Sequence, residues 1–137
     1  MHPNHWNWLS LWLLTLRILN DLQEIKIKFF LLQKTSIVGD IEKNFKIIEK
    51  SFKKCVEKNC DFFLTTELFL TGYPPQDLIL RNDFLKKILL FKKKIKNLTN
   101  KKKPILVLNI PEKRNGKIFN SLFLFKNGSV IFKKNKS

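Results

Sequence analysis

A chain of 137 residues holds at most one domain, and it is long enough to bury a core. Its formal charge of +16 suggests nucleic acid or an anionic surface as a partner, yet only Arg17, Arg81 and Arg114 among its 27 basic residues are arginine. Alanine is absent while Lys, Asn, Ile and Phe abound, as an AT-rich coding sequence dictates; the charge therefore reads as solvated lysine faces, with a small basic binding module for nucleic acid or anionic lipid kept as the competing reading.

The chain opens with an apolar extension, residues 1–24. All three tryptophans (Trp6, Trp8, Trp12) and both histidines (His2, His5) fall in it. The apolar run from Trp6 to Leu16 is broken by Arg17 and falls short of the roughly twenty apolar residues that span a bilayer. No Lys or Arg precedes it and no small-residue cleavage site follows, which argues against a signal peptide. An interfacial helix is the alternative to a plain helical extension, although the lysines expected on its polar face are missing.

Residues 25–137 carry the remaining elements. Ile25 to Gln33 alternates and then turns continuously apolar, as a strand does that enters from an exposed edge and becomes buried. Asp40 can cap a helix reaching to Asn59, with Ile41, Phe45, Ile48, Phe52 and Cys55 on one stripe and lysines on the other faces. Cys55 is then a core residue. Cys60 has no histidine nearby in sequence, and the two cysteines make neither a CxxC nor a Cys/His cluster, so no metal site and no disulfide are expected; reduced thiols fit a cytoplasmic protein.

Phe62-Phe63-Leu64 reads as a short buried strand. Glu67 leaves its C-terminal end, the place where α/β proteins assemble sites, just before the rigid turn Thr71-Gly72-Tyr73-Pro74-Pro75. An ordinary loop glutamate is the competing interpretation. Asp83 to Leu98 repeats the helical stripe through Phe84, Ile88, Phe91, Ile95 and Leu98. Three strands follow: Pro104 to Ile110, Ile118 to Phe125 after the Asn115-Gly116 turn, and Ser129 to Lys134 after Lys126-Asn127-Gly128. The order β-α-β-α-β-β-β predicts an α/β (α+β) mixed sheet with both helices on one face.

The stretch Glu67-Leu68, Thr71-Gly72-Tyr73-Pro74-Pro75, Asp77-Leu78 and Arg81 resembles the nitrilase (carbon–nitrogen hydrolase) superfamily and, more narrowly, the glutaminase domain of glutamine-dependent NAD+ synthetases. The resemblance extends to Val38-Gly39-Asp40-Ile41-Glu42 with Asn44, to Asn109-Ile110-Pro111-Glu112 and to Phe119-Asn120-Ser121. Thr66, Gln76 and Asn109 depart from the family's usual Pro, acid and Gly. The resemblance implies an α-β-β-α sandwich of which this chain supplies only the N-terminal portion, leaving one apolar sheet face uncovered.

It also implies a Cys-Glu-Lys amide hydrolase. Glu67 matches the general base, and Tyr73 is a candidate for the substrate pocket. The oxyanion-stabilising lysine is expected after the last strand; the family's spacing from Asn120-Ser121 places it at Lys136, with Lys134 as the alternative. No residue of this chain matches the nucleophilic cysteine, which the family carries further on, so the chain alone is expected not to hydrolyse glutamine. The resemblance implies glutamine as substrate, homo-oligomers of the full-length protein, and the remainder of the domain plus a synthetase domain as partners. That synthetase domain would use ATP and Mg2+; no cofactor is expected in this chain, and neither nucleic acid nor membrane is expected as a partner. A related amidase or carbamoylase is the rival enzyme class.

Overall fold

Parallel neighbours in a sheet need a crossover between them, and the chain provides two. In the computed structural model, which describes residues 3–24 and 26–136, strand β1 (Phe29–Leu32) leads through helix α2 (Ile41–Glu57) to β2 (Phe62–Thr65). A 3-10 turn (Gln76–Leu80) and helix α3 (Asn82–Leu98) then lead to β3 (Ile105–Arg114). Strands β4 (Lys117–Lys126) and β5 (Ser129–Lys136) complete the sheet. The spatial order is β1-β2-β3-β4-β5, with the first three parallel and the last two added antiparallel. Successive crossovers of one hand, stepping in one direction, place both helices on the same face.

The expected helical stripes are the core. Asp40 caps α2 by accepting the Lys43 N–H at 3.1 Å. Ile41, Phe45, Ile48, Phe52 and Cys55 are all buried, as are Phe84, Ile88, Phe91 and Ile95 of α3. They pack against Leu32, Phe63, Leu106, Leu108, Ile110, Phe123 and Phe125 of the sheet. Helix α2 ends before Asn59, earlier than its pattern suggested, because Asn59 adopts a left-handed conformation (φ 55°) that stops the turn.

Both hairpins close on two residues. Asn115-Gly116 and Asn127-Gly128 have positive φ throughout (47° and 76°, 49° and 76°), the geometry that matches strand twist. Tight turns let the hairpins run on, so β3 continues through Pro111 and Glu112 and β5 reaches Lys136, each beyond the span its sequence pattern indicated.

The first strand needs correction. It is shorter than residues 25–33, and it does not become buried on both sides: Phe29 is 60% and Leu31 51% exposed. β1 is an edge strand, and these two side chains point to the face opposite the helices. That face also holds Phe62 stacked on Phe29 (5.2 Å between ring centroids) and, near β5, the exposed Phe132. The described residues thus form one helical layer and one sheet layer of the expected sandwich.

Helix α1 (Pro3–Glu24) occupies the N-terminal extension. Its residues 7–21 are all exposed, including Trp8, Leu11 and Trp12. Among the described residues no helix is long and apolar enough to cross a membrane. Met1, His2, Ile25 and Ser137, which fall within the expected extension, first strand and terminus, lie outside the described residues.

Candidate active site

Two loops that the sequence keeps apart are latched together behind Glu67. Asn44, fully buried on α2, accepts the Ile37 N–H at 2.7 Å and donates its amide to the carbonyls of Ile37 (2.7 Å) and Leu70 (3.0 Å). The Gly39 N–H donates to Thr71 O at 2.9 Å. Gly72 (φ +79°) lies against the Val38 backbone so closely that a Cβ there would meet Val38 Cα at 2.5 Å. The Val38-Gly39-Asp40 and Thr71-Gly72 stretches are therefore two halves of one joint.

The joint fixes the turn that carries Glu67. Leu68 takes φ +52°, a conformation uncommon for a residue of its shape. The buried Thr71 hydroxyl donates to the Leu68 carbonyl (3.2 Å) and its apolar side chain is buried, which holds the unusual backbone in place. Glu67 projects from this turn, and its Oε1 accepts the Asn120 Nδ2–H at 2.7 Å.

Lys136 reaches the same cleft through a register shift. The last hairpin pairs Phe125 with Val130 but Leu124 with Phe132, so Ile131 is an extra residue. Downstream of this bulge Lys134 lies opposite Leu122 and Lys136 opposite Asn120, on the face away from the helices. Without the bulge the alternation would turn both lysines to the other face. Glu67, Asn120 and Lys136 line a cleft of about 350 Å³ whose remaining wall includes Pro75, Ile79, Pro111 and Ile118. An apolar pocket with a few converging polar groups is the usual form of a small-molecule site.

The structure thus brings Glu67 and Lys136 together. Lys134 lines the adjoining depression with Asn109 and Asn120, away from Glu67. Tyr73 is exposed and does not line the Glu67 cleft; Pro75, two residues on, does. Asn120 joins the site as well, and the Phe119-Asn120-Ser121 match is the sequence signal that points to it. A larger cleft of about 530 Å³ lies between α2 and α3, but its Glu49, Lys50, Lys53 and Lys102 sit on solvated helix faces and its walls include no strand-end residue.

Neither cysteine can serve this cleft. Both are free and buried on the helix side. Burial, reinforced by the adjacent Cys60 thiol and by Asp61, pushes the Cys55 thiol up to about 12, the reverse of what a nucleophilic thiol needs.

A second polar cluster braces the helix side of the sheet. Glu112 is bound by Lys133 (2.6 Å) and Lys92 (3.7 Å), and the Ser121 hydroxyl donates to it at 3.0 Å. Burial raises its carboxyl, but the hydrogen bonds from Lys133 and Ser121 and the two lysine charges outweigh this and hold it below its usual value. For Lys92 burial wins instead: its ammonium is lowered despite the Glu112 partner. The Lys92 ammonium also sits 4.0 Å above the Phe123 ring.

A carboxylate held beyond a strand end and a lysine brought into the same cleft by a bulge thus sit on a sheet with one helical layer. The carbon-nitrogen hydrolase family profile matches residues 31–137, and the chain belongs to that family. The glutamine-dependent NAD(+) synthetase of Thermotoga maritima is 36% identical over 61 residues, which are 44% of this chain and 11% of that protein. The solved glutamine-dependent NAD+ synthetase from Acinetobacter baumannii superposes with a TM-score of 0.73 at 23% identity, covering 80% of this chain and 20% of that one. An amidase from Nesterenkonia sp. superposes with a TM-score of 0.72 at 20% identity, covering 80% of this chain and 42% of that one. The chain spans about a tenth of the curated relative it matches. At these identities the two structures speak for the fold alone.

Proposed function

We propose that this chain supplies the general base and the oxyanion-stabilising lysine of a glutamine amidohydrolase of the NAD+ synthetase type, working in NAD biosynthesis in the cytoplasm. The observation that carries this reading is the meeting of Glu67 and Lys136 in one cleft beside Asn120. The Thr71 to Leu78 match and the identity to the Thermotoga maritima protein favour this branch over a free-standing amidase, which the fold comparison alone fits equally well.

In this reading Glu67 takes the proton of a cysteine thiol provided by a segment other than residues 1–137. The thiolate attacks the glutamine carboxamide carbon, and the Lys136 ammonium holds the negative oxygen that develops. The C–N bond breaks as Glu67 returns the proton to the leaving ammonia. Water, deprotonated by Glu67, then releases glutamate from the thioester. The ammonia passes to a synthetase partner that uses ATP and Mg2+. Alone, the chain lacks a thiol in the cleft and does not turn over glutamine.

The test is a hybrid of the Thermotoga maritima enzyme in which residues 31–137 of this chain replace the matching stretch. NAD+ formation driven by glutamine is expected, and Glu67→Gln and Lys136→Met should abolish it while sparing NAD+ formation driven by added ammonia. Glutamine-driven activity that survives Glu67→Gln, or ammonia release by the isolated chain, would overturn the reading.

A further inference from the structure

Asn120 is bonded on one side only. Its Nδ2 donates to Glu67, while its Oδ1 is buried and has no hydrogen-bond partner among the described residues. A carboxylate only accepts, so Glu67 fixes which end of the Asn120 amide faces it. The carbonyl end is thereby turned away from Glu67 into a site where nothing satisfies it. Buried polar atoms are almost always paired, and each exception calls for an explanation, a role in catalysis among them.

We infer that Asn120 is a positioning residue that bridges the two catalytic groups, its amide donating to Glu67 and its carbonyl receiving the ammonium of Lys136. This deepens the function proposed above and rests on it. Lys136 is the direct cross-strand neighbour of Asn120, and both line the Glu67 cleft and the depression beside it. Side chains so paired on one face lie close enough to touch. Lysine brings three donors and a flexible stem, so a rotation about its own bonds delivers one donor to Oδ1 and leaves two for a developing oxyanion.

The bridge solves a problem that the pair would otherwise create. A carboxylate and an ammonium free in one apolar cleft would collapse onto each other, which would lower the basicity of Glu67 and occupy the ammonium. In this structure Lys136 makes no ion pair with Glu67 within 4.0 Å among the described residues. With Asn120 between them, each group keeps a free end: Glu67 its second oxygen for the proton, Lys136 its remaining N–H groups for the oxyanion. Aspartate at this position would repel Glu67, and leucine would offer neither bond.

Two experiments test the bridge. In the full chain, isotope-labelled for NMR, Lys136→Met should move the Asn120 side-chain carbonyl carbon, and Glu67→Gln should move its amide protons. A carbonyl signal indifferent to Lys136→Met, or one that moves only when glutamine is added, overturns the bridge; the latter outcome assigns the carbonyl to substrate. In the hybrid enzyme, Asn120→Leu should cut glutamine-driven kcat by on the order of 10- to 100-fold, with KM changed far less. Ammonia-driven synthesis, which reports folding, should be unaffected. Full glutamine-driven activity in Asn120→Leu together with a dead Glu67→Gln defeats the bridge alone. Full activity in Glu67→Gln defeats the functional reading beneath it.

Discussion

The two faces of the sheet contrast sharply. The helix-covered face is apolar apart from the Glu112 cluster at one end, and its Phe63, Leu106, Leu108, Ile110, Phe123 and Phe125 are essentially inaccessible. The opposite face leaves Phe29, Leu31 and Phe132 open, and at its far end gathers Glu67, Asn120 and Lys136 around a cleft. One face holds the fold together; the other gathers polar and charged side chains at its rim. A carboxylate and a lysine fit there because ions are costly to bury among side chains that offer them no partner.

Truncation should separate the faces most clearly. Phe63→Ala is expected to cost about 3–5 kcal/mol, enough to threaten the roughly 5–15 kcal/mol of a small domain. Phe29→Ala on the open face should cost about 1 kcal/mol or less and reduce self-association. Urea unfolding and sedimentation of the two variants measure both effects. Equal losses would show that the open face is covered in solution.

The joint behind Glu67 comes next. Asn44→Ala leaves the Ile37 N–H and two carbonyls without partners and should cost about 2–3 kcal/mol. Gly72→Ala must both adopt a positive φ and displace the Val38 backbone, so a loss of at least about 2 kcal/mol is expected. Each should also disturb the Asn120 amide signal through Glu67, which an unrelated core lesion of equal cost would not.

Acid sharpens the comparison further. Glu112 has a folded carboxyl below its unfolded value of 4.5. Its stabilisation is therefore complete above that pH and is lost as pH falls through the lower, folded value. A denaturant series should show stability declining below about pH 4.5, and Glu112→Gln should flatten that decline while lowering stability at neutral pH, where Lys92 and Lys133 lose their partner. The smallest effect belongs to the Arg81–Asp83 pair, whose side chains are both largely exposed. Despite its 2.9 Å contact, Asp83→Asn should leave the urea midpoint unchanged within the scatter of repeat measurements.

Much of the covered face could be read from the sequence. Ile41 to Cys55 and Phe84 to Leu98 announce their buried stripes by spacing, and both Asn-Gly turns announce their hairpins, because these features depend on neighbours within a few residues. The open face was harder. Phe29-Phe30-Leu31-Leu32 reads as uniformly buried, yet alternate residues are exposed, since an apolar side chain does not record whether anything covers it. Glu67 was legible as an acid at a strand end. Its tether to Asn120 was not, because that contact joins elements whose relative placement only the whole sheet defines. Tyr73 was conspicuous in its turn but stands outside the cleft, where Pro75 takes the wall.

The bulge at Ile131 makes the site depend on a count as well as on residue identities. Loss of the Ile131 codon, in frame, would give regular pairing and leave Lys136 opposite Asn120, since Phe132 already pairs with Leu124. Loss of one codon between the bulge and Lys136 would, with the bulge kept, set the lysine opposite Ser121 and turn it to the helix side. Gene comparisons that score this family position by position would rate the two deletions alike, although only the second would take the lysine out of the cleft.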